Sequence, residues 1–381
     1  MTAPTPARPH PFATPELDER IAAAESTAII IWRGEQLPFA GVPERLSRMD
    51  DRGSRDRLYG SYIEALEALN PLYEERLAAW KAAGDVRAIA ASEGSDPASL
   101  ALDLERLSMH AETPYYAALR RYLALIGIEQ GDATQADLWH VVRGSAWANW
   151  FGEREVGTAV AAAGRSGGDV ADLDGWRAAE RRLAGEPSGT DPVVAAAVSR
   201  AYATLIGSPE WLVDELRVNP DDAIAFVDFA TFVRLWRVRR LIAELQYELR
   251  LFATDDRDLH RAYYAGIVGH MTGVSVSESE YLAGVDLPFS SARKLESTIL
   301  ASILVETLEQ TYGLRWWRDS RAAEVVGRVA GASGRDDALA ELGYDVLDWR
   351  PVLRQIRTRL IGEMSGYGGP NITTRAGTRK V

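Results

Sequence analysis

Cysteine is absent from the 381 residues, which excludes disulfides, thiolate metal ligands, iron–sulfur clusters and a cysteine nucleophile. No run of about eighteen apolar residues occurs, so no stretch reads as a membrane-spanning helix. Lysine is scarce: it stands only at Lys81, Lys294 and Lys380, and the remaining side-chain cations are arginine. That bias, with abundant alanine and glycine, suggests a high-GC bacterial coding sequence. Acids outnumber bases by 55 to 43, and a net charge of −12 leaves no basic stripe for nucleic acid. The Rossmann glycine pattern, the P-loop and any βαβ alternation are also missing. The first twenty residues, "MTAPTPARPHPFATPELDER", are rich in proline and lack a continuous apolar core, so they do not read as a secretory signal. A cytoplasmic location is the expectation.

What is present is helical period nearly everywhere. "DRLYGSYIEALEALNPLYEERLAAW" sets Leu58, Tyr62, Leu66 and Leu69 at spacings of three and four, with Pro71 as a kink or restart. "DPASLALDLERLSMHAETPYYAALRRYLALIGI" reads as two helices, capped by Asp96 and broken near Thr113-Pro114. In "DDAIAFVDFATFVRLWRVRRLIAELQYELRLF", Phe232, Leu235, Ile242, Leu245 and Leu249 form a long apolar stripe. Another long helix is expected from about Ser290 to Tyr312. The expected class is therefore all-α. Residues 164–192 differ, with Gly, Asp and Ser at both ends of one short polar helix around Trp176–Leu183. The expected division is a flexible arm over 1–20, a helical subdomain over 21–163, a polar linker over 164–192, a second helical subdomain over 193–365 and a flexible tail over 366–381.

The order of several stretches resembles the helical oligopeptidases of the thimet oligopeptidase and oligoendopeptidase F type. The stretches are "RLYGSYIEALEALNP", "YYAALRRYLALIGIEQGDATQADL", "RGSAWANWFGERE", "SPEWLVDEL", "LWRVRRLIAELQYELRL", "YLAGVDLPFSSAR" and "YGLRWWRDSRAAEVV". The resemblance implies an all-α body with a central cleft. Members of that family bind zinc through H-E-x-x-H on a helix, with a carboxylate from a second helix. No H-E-x-x-H occurs in this chain. The catalytic segment would fall where residues 164–192 stand, and Val193–Val198 offer no carboxylate for the third ligand. Where the family's substrate-binding His and Tyr would lie, this chain has "LPFSSARKLES". The resemblance therefore implies a truncated member whose metal-binding segment is missing, with no metal and no cofactor expected.

Candidate residues for a metal-free site cluster in two places. "HRAYYAGIVGH" carries His260 and His270, whose separation of ten residues is about 15 Å along a helix. The pair cannot share one metal without a break at Gly266 and Gly269. Both can be ordinary helix residues, or His260, Tyr263 and Tyr264 can face a cavity and transfer protons near neutral pH. "SESEYLAGVDLPFSSAR" supplies Glu278, Glu280, Tyr281, Asp286, Ser290, Ser291 and Arg293. Helix capping, with Asp286 paired to Arg293, accounts for them locally. A rebuilt metal site of His270 with Glu278 or Glu280 is a further option. The acids of "MDDRGSRD" suit a helix cap better than a terpene-cyclase metal motif, because no second motif joins them. Arg237 to Arg240 read as a solvated face, or as anion ligands if buried.

The working assignment is His260, Tyr263, Tyr264 and Glu278 for acid/base chemistry, with Tyr281, Ser290, Ser291 and Arg293 holding substrate. The ligand is expected to be peptide-like or a small secondary metabolite, with no nucleic acid and no membrane involved. The alternative is a non-catalytic protein that holds a peptide or protein partner.

Overall fold

Patterning at 3.6 residues per turn becomes fourteen α-helices among the described residues of a computed structural model, which are 12–92, 96–143 and 191–360. They are α1 Pro15–Thr27, α2 Val42–Ser47, α3 Arg52–Ala82, α4 Val86–Ser92, α5 Pro97–Leu125, α6 Gln135–Arg143, α7 Pro192–Ala203 and α8 Pro209–Leu216. After these come α9 Pro220–Leu251, α10 Arg257–Thr272, α11 Ser290–Tyr312, α12 Ser320–Ala330, α13 Arg335–Glu341 and α14 Arg350–Leu360. The all-α expectation holds. The polar helix expected around Trp176–Leu183 lies outside the described residues. None of the helices described is long and apolar enough to cross a membrane.

Local chemistry sets most helix starts. Asp51 caps α3 by accepting from the Ser54 N–H at 2.8 Å, and Asp96 caps α5 through Ser99 at 3.1 Å. Each cap satisfies a donor that the first turn leaves open. The helix expected from about Ser290 to Tyr312 is α11. One unforeseen element is a hairpin, β1 Ile29–Trp32 paired antiparallel with β2 Glu35–Pro38. Its two-residue turn places Arg33 at φ 50° and Gly34 at φ 86°, the left-handed pair that favours tight hairpins. Ile30 and Trp32 face inward, while Ile29 and Ile31 are exposed.

The break expected at Thr113-Pro114 does not occur, because α5 runs through Pro114 just as α3 runs through Pro71. An interior proline costs about 3 kcal/mol in an isolated helix. Around Pro114, Ala111 and Tyr115 are fully buried, and Tyr115 stacks on Phe232 at 5.8 Å. Packing of that order outweighs the missing hydrogen bond. Gly266 and Gly269 likewise leave α10 continuous.

The chain divides into two compact units, while the boundary expected at 164–192 falls almost wholly outside the described residues. The first takes Met1–Met109, Leu119–Arg143 and Trp236–Glu296; the second takes His110–Ala118, Gly144–Leu235 and Ser297–Val381. The second unit has its core in Phe226, Phe229 and Phe232 of α9, Ile303, Leu304 and Leu308 of α11, and Ile356 of α14. Arg234 ties it together, donating at 2.9 Å to both Ser302 Oγ and Gln355 Oε1.

The first unit is built on α3, the end of α9, α10 and α6. Leu58, Leu66, Leu138, Ile242, Leu245 and Val268 are fully buried there. Within this core, Asp137 and Arg55 form an ion pair at 2.7 Å, with Asp137 wholly buried and Arg55 1% exposed. Asp137 also accepts from the Thr134 N–H at 3.1 Å and from Thr134 Oγ1 at 3.2 Å, which fixes the start of α6. Replacing Asp137 by alanine strands the Arg55 cation and should cost about 3–5 kcal/mol. Urea unfolding followed by circular dichroism checks this, and a loss under about 1 kcal/mol would contradict a buried, unshielded pair.

Candidate functional site

A set of polar side chains meets inside the first unit, carried by five segments. α3 presents Tyr59 and Tyr62 one turn apart. α9 presents Arg240, Glu244, Tyr247 and Glu248 along one face, at spacings of three and four. α10 adds Tyr264, α6 adds Gln135 and Trp139, and the 3-10 turn Glu278–Glu280 adds Glu280. The turn is held from a distance: Asn70 Nδ2 donates to the Ser279 carbonyl at 3.0 Å, and Arg261 clamps Glu67 with contacts of 2.9 and 2.5 Å.

Glu280 is the hub. It is 5% exposed, and Tyr59 Oη donates a hydrogen bond to its Oε1. Burial pushes the Glu280 carboxyl above its ordinary range, and the Tyr59 hydroxyl and the Arg240 cation pull it partly back. Burial likewise raises the Tyr59 phenol, and the neighbouring Glu280 charge raises it further. The phenol therefore keeps its proton and donates a hydrogen bond to the Glu280 carboxylate in a dry environment.

Arg240 supplies the positive charge. Its Nε donates to Glu244 Oε1 at 2.8 Å, and its Nη1 donates to Gln135 Oε1 at 2.7 Å. Gln135, fully buried, also accepts from Trp139 Nε1 at 2.7 Å, which fixes the guanidinium against an indole. Burial works against the Arg240 cation, but Tyr264, Glu244 and Glu280 around it more than offset that. Burial raises the Tyr264 phenol, and Arg240 opposes the rise, so the group stays a neutral donor. Tyr247 packs edge-on against Tyr264 at 5.0 Å, and its buried hydroxyl has no hydrogen-bond partner among the described residues.

Behind this set lies Glu248, 2% exposed, accepting from Ser291 Oγ at 2.8 Å. Burial pushes its carboxyl up to about 8, with the Ser291 hydroxyl opposing and Glu244 reinforcing the rise.

The expected site residues scatter around this arrangement. Tyr264 stands in it, and Ser291 touches it through Glu248. His260, buried on the same helix as Tyr264, faces Thr254, whose Oγ1 lies 2.9 Å from His260 Nε2. Burial and then Lys81 lower the His260 pKa. Tyr263 lies under the Arg250 guanidinium at 5.7 Å. Tyr281 is buried and donates to Glu74, which Arg257 pairs at 2.8 Å. Glu278 is exposed, Ser290 is buried at the first residue of α11, and Arg293 is half-buried. Asp286 pairs with Lys294 at 3.2 Å. His270 is exposed, and no three His, Asp or Glu side chains among the described residues form a set that could ligate a metal ion.

Tyr59, Arg240, Glu244 and Gln135 were not among the expected site residues. The signal for Arg240 was visible, since Arg239 and Arg240 interrupt the apolar stripe of α9. They are not a solvated face: Arg239 is 1% exposed, donating to the Met271 carbonyl at 2.8 Å and the Ser108 carbonyl at 3.0 Å.

The fold that carries these residues is similar to one solved by crystallography, that of oligoendopeptidase-F from Enterococcus faecium. The likeness has a TM-score of 0.63 at 14% identity, covering 92% of this chain and 71% of that one. The fold is oligopeptidase-like. No protein-family model and no curated protein sequence matches the chain. At this identity the likeness speaks for the fold alone.

Glu248 gives a sharp test of the polar interior. A carboxyl at about 8 in the fold and 4.5 in the unfolded chain is destabilising once it must ionise. The fold binds the extra proton between those values, so stability falls as pH rises from about 4.5 to about 8. The ceiling on that loss is about 5 kcal/mol. Glu248→Gln keeps an acceptor for Ser291 and should flatten this slope, gaining on wild type as pH rises in denaturation curves. Parallel curves for the two proteins from pH 5 to 8.5 would refute the shift.

Proposed function

We propose that the first unit houses a metal-independent acid/base site, in which Glu280 accepts a hydrogen bond from Tyr59 beside Arg240 and Tyr264. The substrate is peptide-like or a small secondary metabolite, and the oligopeptidase-like fold has been turned to a biosynthetic or tailoring reaction. The observation that carries this reading is the buried hydrogen bond from Tyr59 to Glu280, set within the field of a guanidinium. Paired titratable groups whose environments pull their proton affinities apart are the usual means of running acid and base steps at neutral pH. Glu280, when ionised, is the base; Tyr59 and Tyr264 are neutral donors; Arg240 stabilises negative charge developing on a substrate oxygen. Metal independence is supported by the absence of H-E-x-x-H from the sequence.

Glu280 takes the part expected of Glu278, which is exposed. Tyr264 keeps its part. His260 and Tyr263, on the same helix, line neighbouring positions and are proposed to support substrate placement, together with Tyr281, Ser290, Ser291 and Arg293.

A second reading, a non-catalytic protein that binds a peptide, is favoured by one feature. Arg240 and Glu280 already satisfy each other's neighbours, through Glu244, Gln135 and Tyr59, as a static polar core would.

The two readings part in one assay. Chain treated with EDTA is incubated with a panel of N-acetyl dipeptide amides and cyclic dipeptides, and products are followed by mass spectrometry and chromatography. Turnover should persist in EDTA and fall about 100-fold or more in Glu280→Gln and Tyr59→Phe. Because burial raises the Glu280 carboxyl, kcat/KM should climb with pH through a midpoint above the ordinary carboxylate range. Loss of turnover in EDTA, or full activity in Glu280→Gln, sinks the proposal. Binding without turnover across the panel selects the second reading.

A further inference from the structure

The loop between α9 and α10, residues 252–256, is fastened by two side chains from different helices. Lys81, in the last turn of α3, donates to the Thr254 carbonyl at 2.5 Å and to Asp255 Oδ1 at 2.7 Å. His260, in the first turn of α10, brings Nε2 to 2.9 Å from Thr254 Oγ1. Asp256 caps that helix by accepting from the Leu259 N–H at 3.0 Å, so the turn carrying His260 starts at a fixed point. Because Asp256 is the cap, capping leaves the Thr254 hydroxyl unexplained. Three groups meet at this one residue: a hydroxyl, an imidazole on that hydroxyl, and an ammonium on the carbonyl of the same residue.

Each is in the form that nucleophilic chemistry asks for. His260 is 3% exposed, and burial, then the Lys81 cation, lower its proton affinity against the opposing pull of Asp256 and Asp255. The positive end of the α10 dipole also disfavours an imidazolium there. The imidazole is therefore neutral at neutral pH. With its own proton on Nδ1, it accepts the Thr254 hydroxyl hydrogen at Nε2. Thr254 is half-buried, and its neighbours Ala253, Asp255 and Asp256 are exposed, so a small molecule reaches this loop from solvent. Lys81 is fixed beside the hydroxyl, where a cation stabilises negative charge on an attacked carbonyl oxygen.

We propose that Thr254 is a nucleophile toward activated esters, with His260 as its general base and Lys81 as the charge that receives the oxyanion. Thr254 Oγ1 bonds to the acyl carbon as its proton passes to His260 Nε2. The bond from the acyl carbon to the leaving oxygen then breaks, and that oxygen takes the proton from His260. Water, deprotonated by the same imidazole, releases the acid and restores the hydroxyl. This gives His260 a second task besides the placement proposed above. Tyr59, Glu280, Arg240 and Tyr264 take no part, so the proposal stands or falls apart from the acid/base site.

The test incubates the full chain with p-nitrophenyl acetate, following p-nitrophenol by absorbance and the adduct by intact mass and peptide mapping. An acetyl group should map to Thr254. Its formation should climb with pH to a plateau, through a midpoint below the ordinary imidazole range. Thr254→Ser should still be acetylated at that position, whereas His260→Gln should slow the labelling about 100-fold or more. Glutamine can still hydrogen-bond Thr254 but takes up no proton, so labelling of His260→Gln at the wild-type rate would overturn the base. The pH profile is read on the unaltered chain, and a flat profile overturns the base even where His260→Gln fails to fold. Acetyl groups confined to lysines or the amino terminus, with Thr254 unmodified, would overturn the site.

Discussion

One ion pair orders much of the first unit. Asp137 is wholly buried and must be answered, and Arg55, almost as buried, answers it. The same carboxylate holds Thr134 by its N–H and hydroxyl, which fixes the entry to α6. From that entry two further structures hang. The main chain at 133–135 becomes the partner of Ser275, and the side chain of Gln135 reaches inward to orient Arg240. A buried charge is costly in itself. Here its partners also set the place of Ser275 and the aim of a guanidinium.

The polar interior follows the same logic on a larger scale. Tyr59, Glu280, Arg240, Glu244 and Gln135 come from four segments distant in sequence, and each closes a hydrogen bond that another opens. Such a network is unforgiving, since deleting one member leaves its partner unpaired in a low-dielectric setting. Burial also raises the Glu280 carboxyl and the Tyr59 phenol above their ordinary ranges.

Helices and caps were legible because their causes are local. Asp51 and Asp96 announce α3 and α5 by residue type and position alone, and the apolar stripe of α9 shows in its spacing. The interior was harder to read. Glu278 and Glu280 are equivalent as letters, two residues apart in one polar run, yet one is exposed and the other buried. What separates them is a 3-10 turn fastened by Asn70, more than two hundred residues earlier. Arg239 and Arg240 read as either a solvated face or buried anion ligands for a similar reason. Their helix is enclosed on several faces by tertiary packing, and no periodicity within α9 reports that. The buried polar residues were the ones whose surroundings are assembled from far along the chain.

The small hairpin near the start of the chain bears on how the protein behaves in concentrated solution. Ile29 and Ile31 point outward at 52% and 65% exposure on a two-stranded ribbon, a pattern that invites neighbouring molecules to stack. Four residues per strand give such a neighbour little to align with, and Pro38 closes β2 with a residue that has no N–H to donate. Glu35, opposite Trp32, adds a charge at the turn end. The ribbon can therefore carry apolar side chains on its outer face without becoming a seed for fibres.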